Sequence, residues 1–176
     1  MSTVTASSLP TASLLNRYRK PSWEGVIEPY TDSFAAKISG SVDIARFVTA
    51  FYTTPLFRLE RLVLDVFAGK PSTDGQAELL GAARTEVFAA WKVEARTDNQ
   101  LLMCDFRGRT RSWFMVEADG AGCTLLRFGS AVVPAVNART GEEELGRGFE
   151  ALLGFHRLYS RCLLRSAARR LNQHAR

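Results

Sequence analysis

The sequence predicts an α+β domain in which a curved antiparallel β-sheet wraps around a long C-terminal helix, with two short helices after the first strand. Three observations carry this reading. Residues 87–133 hold four runs of alternating apolar and polar residues joined by short turns, which must pair as an antiparallel meander. An alternating run over residues 30–39 leads directly into two segments of helical periodicity. Residues 140–171 then carry apolar residues on one stripe and arginines on the other, as a helix lying on a sheet does.

Residues 1–26 are rich in serine and threonine, carry Arg17, Arg19 and Lys20, and have no acid before Glu24. They read as a mobile or surface-lying arm, which leaves residues 27–176 as one domain. In YTDSFAAKIS, Tyr30, Asp32, Phe34, Ala36 and Ile38 share one face of a first strand, which Gly40 ends. Ile44, Phe47, Val48 and Phe51 recur at helical spacing behind the capping candidates Ser41 and Asp43. Pro55 suits the first turn of a second helix, PLFRLERLVLDVFAG, closed by Gly69. The stretch KPSTDGQAELLGAARTE has turn formers at both ends and a helical turn around Ala77–Leu80.

VFAAWKVEAR reads as a strand, with Val87, Ala89, Trp91, Val93 and Ala95 on one side and Lys92, Glu94 and Arg96 on the other. LLMCDFR, RTRSWFMVEA and CTLLRFGSAVV follow across the turns at Thr97–Asn99, Gly108 and Asp119–Gly122. Pro134 stops the sheet. The segment from Thr140 to Leu171 is the long helix, with acids in its first turns and arginines towards its end.

Length and composition fit a globular domain: 176 residues, 46% hydrophobic and 23% charged, enough to bury a core without disulfides. A net charge of +5 with a pI near 9.4 is mildly basic. It accommodates weak contact with an anionic membrane surface, and no nucleic-acid partner is expected. The three cysteines are scattered without zinc spacing; their odd number and the lack of a secretory signal point to a reducing, cytoplasmic setting. No apolar run is long enough to cross a bilayer. A phosphate-binding loop, a dinucleotide fingerprint and a G-x-S-x-G nucleophile are all missing, so neither cofactor nor metal is expected. The sequence specifies neither a ligand nor an oligomeric state.

The candidate chemistry centres on His156. Wound at helical pitch, Leu152, Leu153, His156, Ser160, Leu163 and Ala167 share one face, and Arg157, Arg161, Arg165 and Arg169 spread over the other. His156 is then either a hydrogen-bonded core residue or a cavity-lining donor or general base, its ordinary pKa near 6.5 suiting proton transfer. Asp105, Arg107, Arg109, Arg111 and Trp113 share one strand parity. They form either a solvated face with cross-strand ion pairs or a wall from which one arginine reaches inward to an anion, balanced by Asp105 or Asp32. Trp91, Phe34, Phe106, Phe114 and Phe128 would line a cavity or simply fill a core, and Cys104 and Cys123 read as inert.

The stretches AFYTTPLFRLERLVLD, MCDFRGRTRSWFMV and LGFHRLYSRCLLRSAARRL resemble an uncharacterised bacterial branch of the START and pollen-allergen (SRPBCC) superfamily, which has the helix-grip fold. That branch often carries an F-x-x-P-x-F-R-L stretch, an acidic, arginine-bearing strand and a P-F-H-R-L helix; here Gly154 stands in place of the proline. The second and third strands of the larger fold have no clear counterpart between Gly69 and Glu86. The resemblance implies a cavity for a small hydrophobic or amphipathic molecule between sheet and last helix. The candidate ligand-binding residues are Asp32, Phe34, Trp91, Asp105, Arg111, His156 and Ser160. Some relatives are cyclases or hydrolases, so the alternative is an enzyme with His156 as general base and an arginine stabilising an enolate or oxyanion. A third reading is an interaction module working through its basic surface.

Overall fold

A short strand, β1 (Val4–Ala6), lies antiparallel to β2 (Tyr30–Ser39), with Val4 opposite Ala36 and Ala6 opposite Phe34. In this computed structural model, which describes residues 3–19, 28–120, 122–136, 143–145 and 149–173, the N-terminal stretch is therefore part of the sheet. For residues 3–19 the expectation of a mobile or surface-lying arm gives way to a packed segment, with Val4 buried in the main core, and the strand predicted as first is the second; residues 1–2 and 20–26 of that arm lie outside the described residues.

Three helices follow β2: α1 (Ile44–Tyr52), α2 (Pro55–Ala68) and α3 (Asp74–Gly81). Each begins at a capping side chain. Asp43 accepts from the Arg46 N–H, Thr54 from Phe57, and Thr73 forms a reciprocal capping box with Gln76. α2 ends at Gly69, whose φ of 58° is a left-handed cap suited to glycine. The helical turn expected at Ala77–Leu80 is thus a full helix. Arg61 fastens it to α2, reaching Asp74 at 2.6 Å and the Ser72 carbonyl at 2.7 Å.

The run VFAAWKVEAR is not one strand. β3 (Val87–Phe88) and β4 (Trp91–Arg96) form a hairpin across Ala89 and Ala90, with Phe88 opposite Trp91 and Ala89 at φ 51°. A bulge between Val93 and Ala95 then shifts the register. Trp91 and Val93 consequently face the main core, while Ala95 packs on the opposite side of the sheet. β5 (Gln100–Asp105), β6 (Thr110–Ala118) and β7 (Cys123–Val132) complete the meander, and β7 pairs with β2 along its whole length. The result is a curved, open, seven-stranded antiparallel sheet in the order β1-β2-β7-β6-β5-β4-β3.

The start of the last helix also differs from expectation. β8 (Ala135–Val136) and β9 (Glu143–Glu144) form a separate two-stranded ribbon, and α4 runs only over Phe149–Gln173. Glu143 and Glu144 therefore lie in a strand rather than in the first turns of that helix, and the rest of the expected start, residues 140–142 and 146–148, lies outside the described residues. Ser160, Leu163, Leu164, Ala167, Ala168 and Leu171 form the buried stripe of α4. It packs with Phe47, Phe51 and Tyr52 of α1 and with Leu101, Phe114, Leu126 and Phe128 of the sheet in one core. Phe51 sits with its ring centroid 4.9 Å from that of Phe114 and 4.6 Å from that of Phe128. Each such fully buried side chain contributes about 1.5–3 kcal/mol.

The opposite face of the sheet is covered by the N-terminal segment. A 3-10 turn at Leu14–Tyr18 places Leu15, fully buried, among Leu102, Trp113, Met115 and Ala131. Buried Gln100 ties it down: its Oε1 accepts from the Trp113 indole and the Leu14 N–H, both at 2.9 Å, and its Nε2 donates to the Ala12 carbonyl at 3.0 Å. Gly129 allows the close approach, since a Cβ there would stand 3.0 Å from the Trp113 ring and 3.1 Å from Leu15.

Candidate functional site

The two halves of α4 have different surroundings. From Ser160 onward its apolar stripe is packed into the core, whereas Phe155 and Leu158 in the preceding turns are exposed. Beside those turns a cavity of about 220 Å³ lies among α1, α2, α4 and strands β4, β6 and β7. Its apolar wall is aromatic: Phe51, Tyr52, Phe57, Trp91 and Phe128, with Leu163 from α4. Its polar groups fall into two sets by their partners.

The first set is Glu60, Tyr159 and Tyr52. The Tyr159 hydroxyl donates to Glu60 Oε2. Burial pushes the Glu60 carboxyl above the usual carboxylate range, against the opposing pull of that hydrogen bond. Burial and the neighbouring Glu60 charge raise both phenols, so each keeps its proton across the physiological range. Tyr52 is almost wholly inaccessible, and its hydroxyl has no hydrogen-bond partner.

The second set surrounds His156, with Ser130 and Ser160 in the same wall. His156 Nε2 lies 3.8 Å from Asp32 Oδ2, beyond hydrogen-bond length, and has no hydrogen-bond partner among the described residues. The Asp32 side chain is 5% exposed. It accepts from the Tyr30 hydroxyl at 2.9 Å and the Ser130 N–H at 3.0 Å. Burial, with Asp32 beside it, pushes Tyr30 up to about 12, so Tyr30 remains a donor. Arg157 Nε donates to the same hydroxyl at 2.9 Å. A carboxylate held by two donors and facing an imidazole can orient it or offset its charge.

Of the residues marked from sequence, His156, Ser160 and Trp91 line the cavity and Asp32 stands behind His156. The others have different places. Arg111 borders the cavity, but its guanidinium turns to the far side of the sheet, where Nε donates to Glu94 at 3.0 Å and the group lies 4.6 Å over the Tyr18 ring. Asp105 closes the β5–β6 turn, its Oδ1 accepting from the N–H groups of Arg109 at 2.7 Å and Thr110 at 3.0 Å. Phe34 and Phe114 belong to the packed core, and Phe106 is exposed at the turn. Burial raises the Cys104 thiol, and no disulfide is present.

Sequence reasoning missed Glu60, Tyr52 and Tyr159. A signal for Tyr159 existed: it lies three residues past His156, on the same side of the helix. Among the described residues there is no His, Cys, Asp and Glu cluster able to hold a metal ion, and no helix long and apolar enough to cross a membrane. No protein-family model, curated protein or solved structure matches the chain.

Proposed function

We propose that this chain binds a small amphipathic molecule between α4 and the sheet, as a member of the helix-grip superfamily that its sequence resembles. The observation that carries this is the Tyr52 hydroxyl, buried in an aromatic wall and left without a partner. Such a group costs about 1–3 kcal/mol while unsatisfied, which a ligand atom would recover. At about 220 Å³ the cavity holds the volume of roughly seven water molecules, and it falls below the ~300–1,000 Å³ of drug-sized sites. The occupant is therefore compact. Native mass spectrometry followed by denaturing extraction tests the reading: a retained small molecule supports it. A bare chain that also shows no thermal shift with compact aromatic amphiphiles would overturn it.

A second reading is acid–base catalysis of the cyclase or hydrolase kind, favoured by the facing of His156 and Asp32. The arginine it calls for has no counterpart in Arg111, which is engaged with Glu94. If a bound molecule proves to be turned over, His156→Gln should lower that turnover by about 10²–10⁴-fold, and a variant as active as the wild type would refute the imidazole as base.

Leu59, Leu62, Val63, Val66 and Phe67 form an exposed apolar stripe along α2, and Arg157 and Arg161 of α4 are also exposed. These features support loose contact with an anionic membrane surface, through which a ligand could enter. Cosedimentation with phosphatidylserine vesicles, lost in Phe67→Asp, is the expected result. Cys104, Cys123 and Cys162 form no disulfide, which suits a reducing, cytoplasmic setting.

A further inference from the structure

We propose that the occupant of this cavity is a compact organic cation, an ammonium-bearing molecule whose charged end rests on the Glu60 carboxylate among the rings of Tyr52, Phe57, Trp91 and Tyr159. The inference rests on the small-molecule-binding reading and names the ligand class within it.

The charge arrangement favours a cation. Glu60 lines the wall with Tyr159 as its hydrogen-bond partner, and among the described residues no lysine or arginine pairs with it. The cationic groups nearest in sequence are committed elsewhere: Arg58 and Arg61 hold Asp74. Arg111 borders the cavity, but its guanidinium is held by Glu94 on the far side of the sheet. Asp32 adds a second carboxylate behind His156. Among the described residues lining the cavity no unengaged guanidinium would meet an anion, which would face Glu60 with Asp32 behind His156, and a neutral molecule would bring no charge to favour the ionised form of Glu60.

The walls fit the same class. Tyr52 and Phe57 stand 4.7 Å apart between ring centroids, and Phe57 and Trp91 5.8 Å apart, so these rings pack as one aromatic cluster in the wall that also holds Glu60 and Tyr159. Aromatic faces attract an ammonium group, Trp and Tyr most strongly. An ammonium also brings several N–H donors, for which the carboxylate and the partnerless Tyr52 oxygen are acceptors. Burial raises the pKa of Glu60 when the cavity is empty; a bound cation would supply the charge that stabilises the ionised form.

Calorimetric titration with benzylamine, benzyl alcohol and benzoate at neutral pH separates the possibilities, because the three share one ring and differ in the charge of one group. Benzylamine should bind at least about tenfold more tightly than the alcohol, as a charge-assisted hydrogen bond implies, and benzoate most weakly. Glu60→Gln retains an acceptor for Tyr159 and should abolish the preference for the amine over the alcohol. Tyr52→Phe should weaken the amine by a smaller factor. Should the alcohol or benzoate match the amine, or should the preference survive in folded Glu60→Gln, the cation proposal fails and the binding reading stands. Failure of all three probes to bind overturns the cation proposal, and overturns the binding reading as well where native mass spectrometry also shows a bare chain.

Discussion

Replacing Leu15 with alanine tests whether the N-terminal segment is an integral layer of the domain. Leu15 is fully buried against Trp113, Leu102, Met115 and Ala131 on the face of the sheet away from the helices. Removing its three outer carbons forfeits about 2.4 kcal/mol at ~0.8 kcal/mol per buried methylene. A cavity term adds to this, because the neighbours cannot easily close in: Trp113 is pinned by its hydrogen bond to Gln100, and Gly129 has no side chain to fill the gap. A total of about 3–4 kcal/mol is expected, within the range of buried leucine truncations. For a domain of this size that lowers Tm by roughly 6–16 °C. Calorimetric or circular-dichroism melting of Leu15→Ala beside the wild type measures it. A change under about 2 °C would mean that the segment does not cover the sheet, and the second apolar cluster would have to be abandoned.

Leu163→Arg places a charge on the buried stripe of α4, where Leu163 is 3% exposed, and should abolish cooperative unfolding; a native-like melt would refute the orientation of α4. Glu60→Gln bears on pH. Burial makes the folded state hold the Glu60 proton more tightly than the unfolded state does, with Tyr159 of α4 and Tyr52 of α1 facing the group. Wild-type stability from this group is therefore greatest below the ordinary carboxyl pKa and is lost as pH rises through the raised folded value. The variant should gain Tm relative to wild type between pH 5 and pH 8, and an unchanged difference would show that Glu60 is solvated. Asp74 has the opposite sign: burial would raise its pKa, but hydrogen bonds from Arg61 and Arg58 outweigh this and lower it. Asp74→Asn should cost less than about 1 kcal/mol at neutral pH, because water screens the partly exposed pairs with Arg58 and Arg61, and the cost should shrink as pH falls through the carboxyl range.

Much of the fold was legible because its signals are local. The strict alternation of residues 30–39, the Thr54–Pro55 start and Gly69 stop of α2, and the apolar stripe from Ser160 to Leu171 each state their own geometry. Features set by distant partners were not legible. β1 is too short to show a period and exists because β2 offers it an edge. The β3–β4 turn is made of two alanines rather than turn formers, and the bulge at Glu94 reverses the side of Ala95 without any change in composition. The same division holds in the site. Helical spacing and strand parity pointed to His156, Ser160 and Trp91. Glu60 has the appearance of a surface acid within LERL until Tyr159 closes over it, and the choice between an ion-paired and an inward-reaching Arg111 stayed open because its partners, Glu94 and Tyr18, come from the bulge and the N-terminal turn.

The most direct test of a ligand cavity between α4 and the sheet is heteronuclear NMR of the tryptophan indole N–H groups during a benzylamine titration. Trp91 lines the cavity, whereas the Trp113 indole is on the opposite face, bonded to Gln100 at 2.9 Å. A saturable shift of the Trp91 signal, assigned by its loss in Trp91→Phe, with Trp113 unmoved, is the expected result. Movement of Trp113 while Trp91 stays still, or no movement in either, would contradict it.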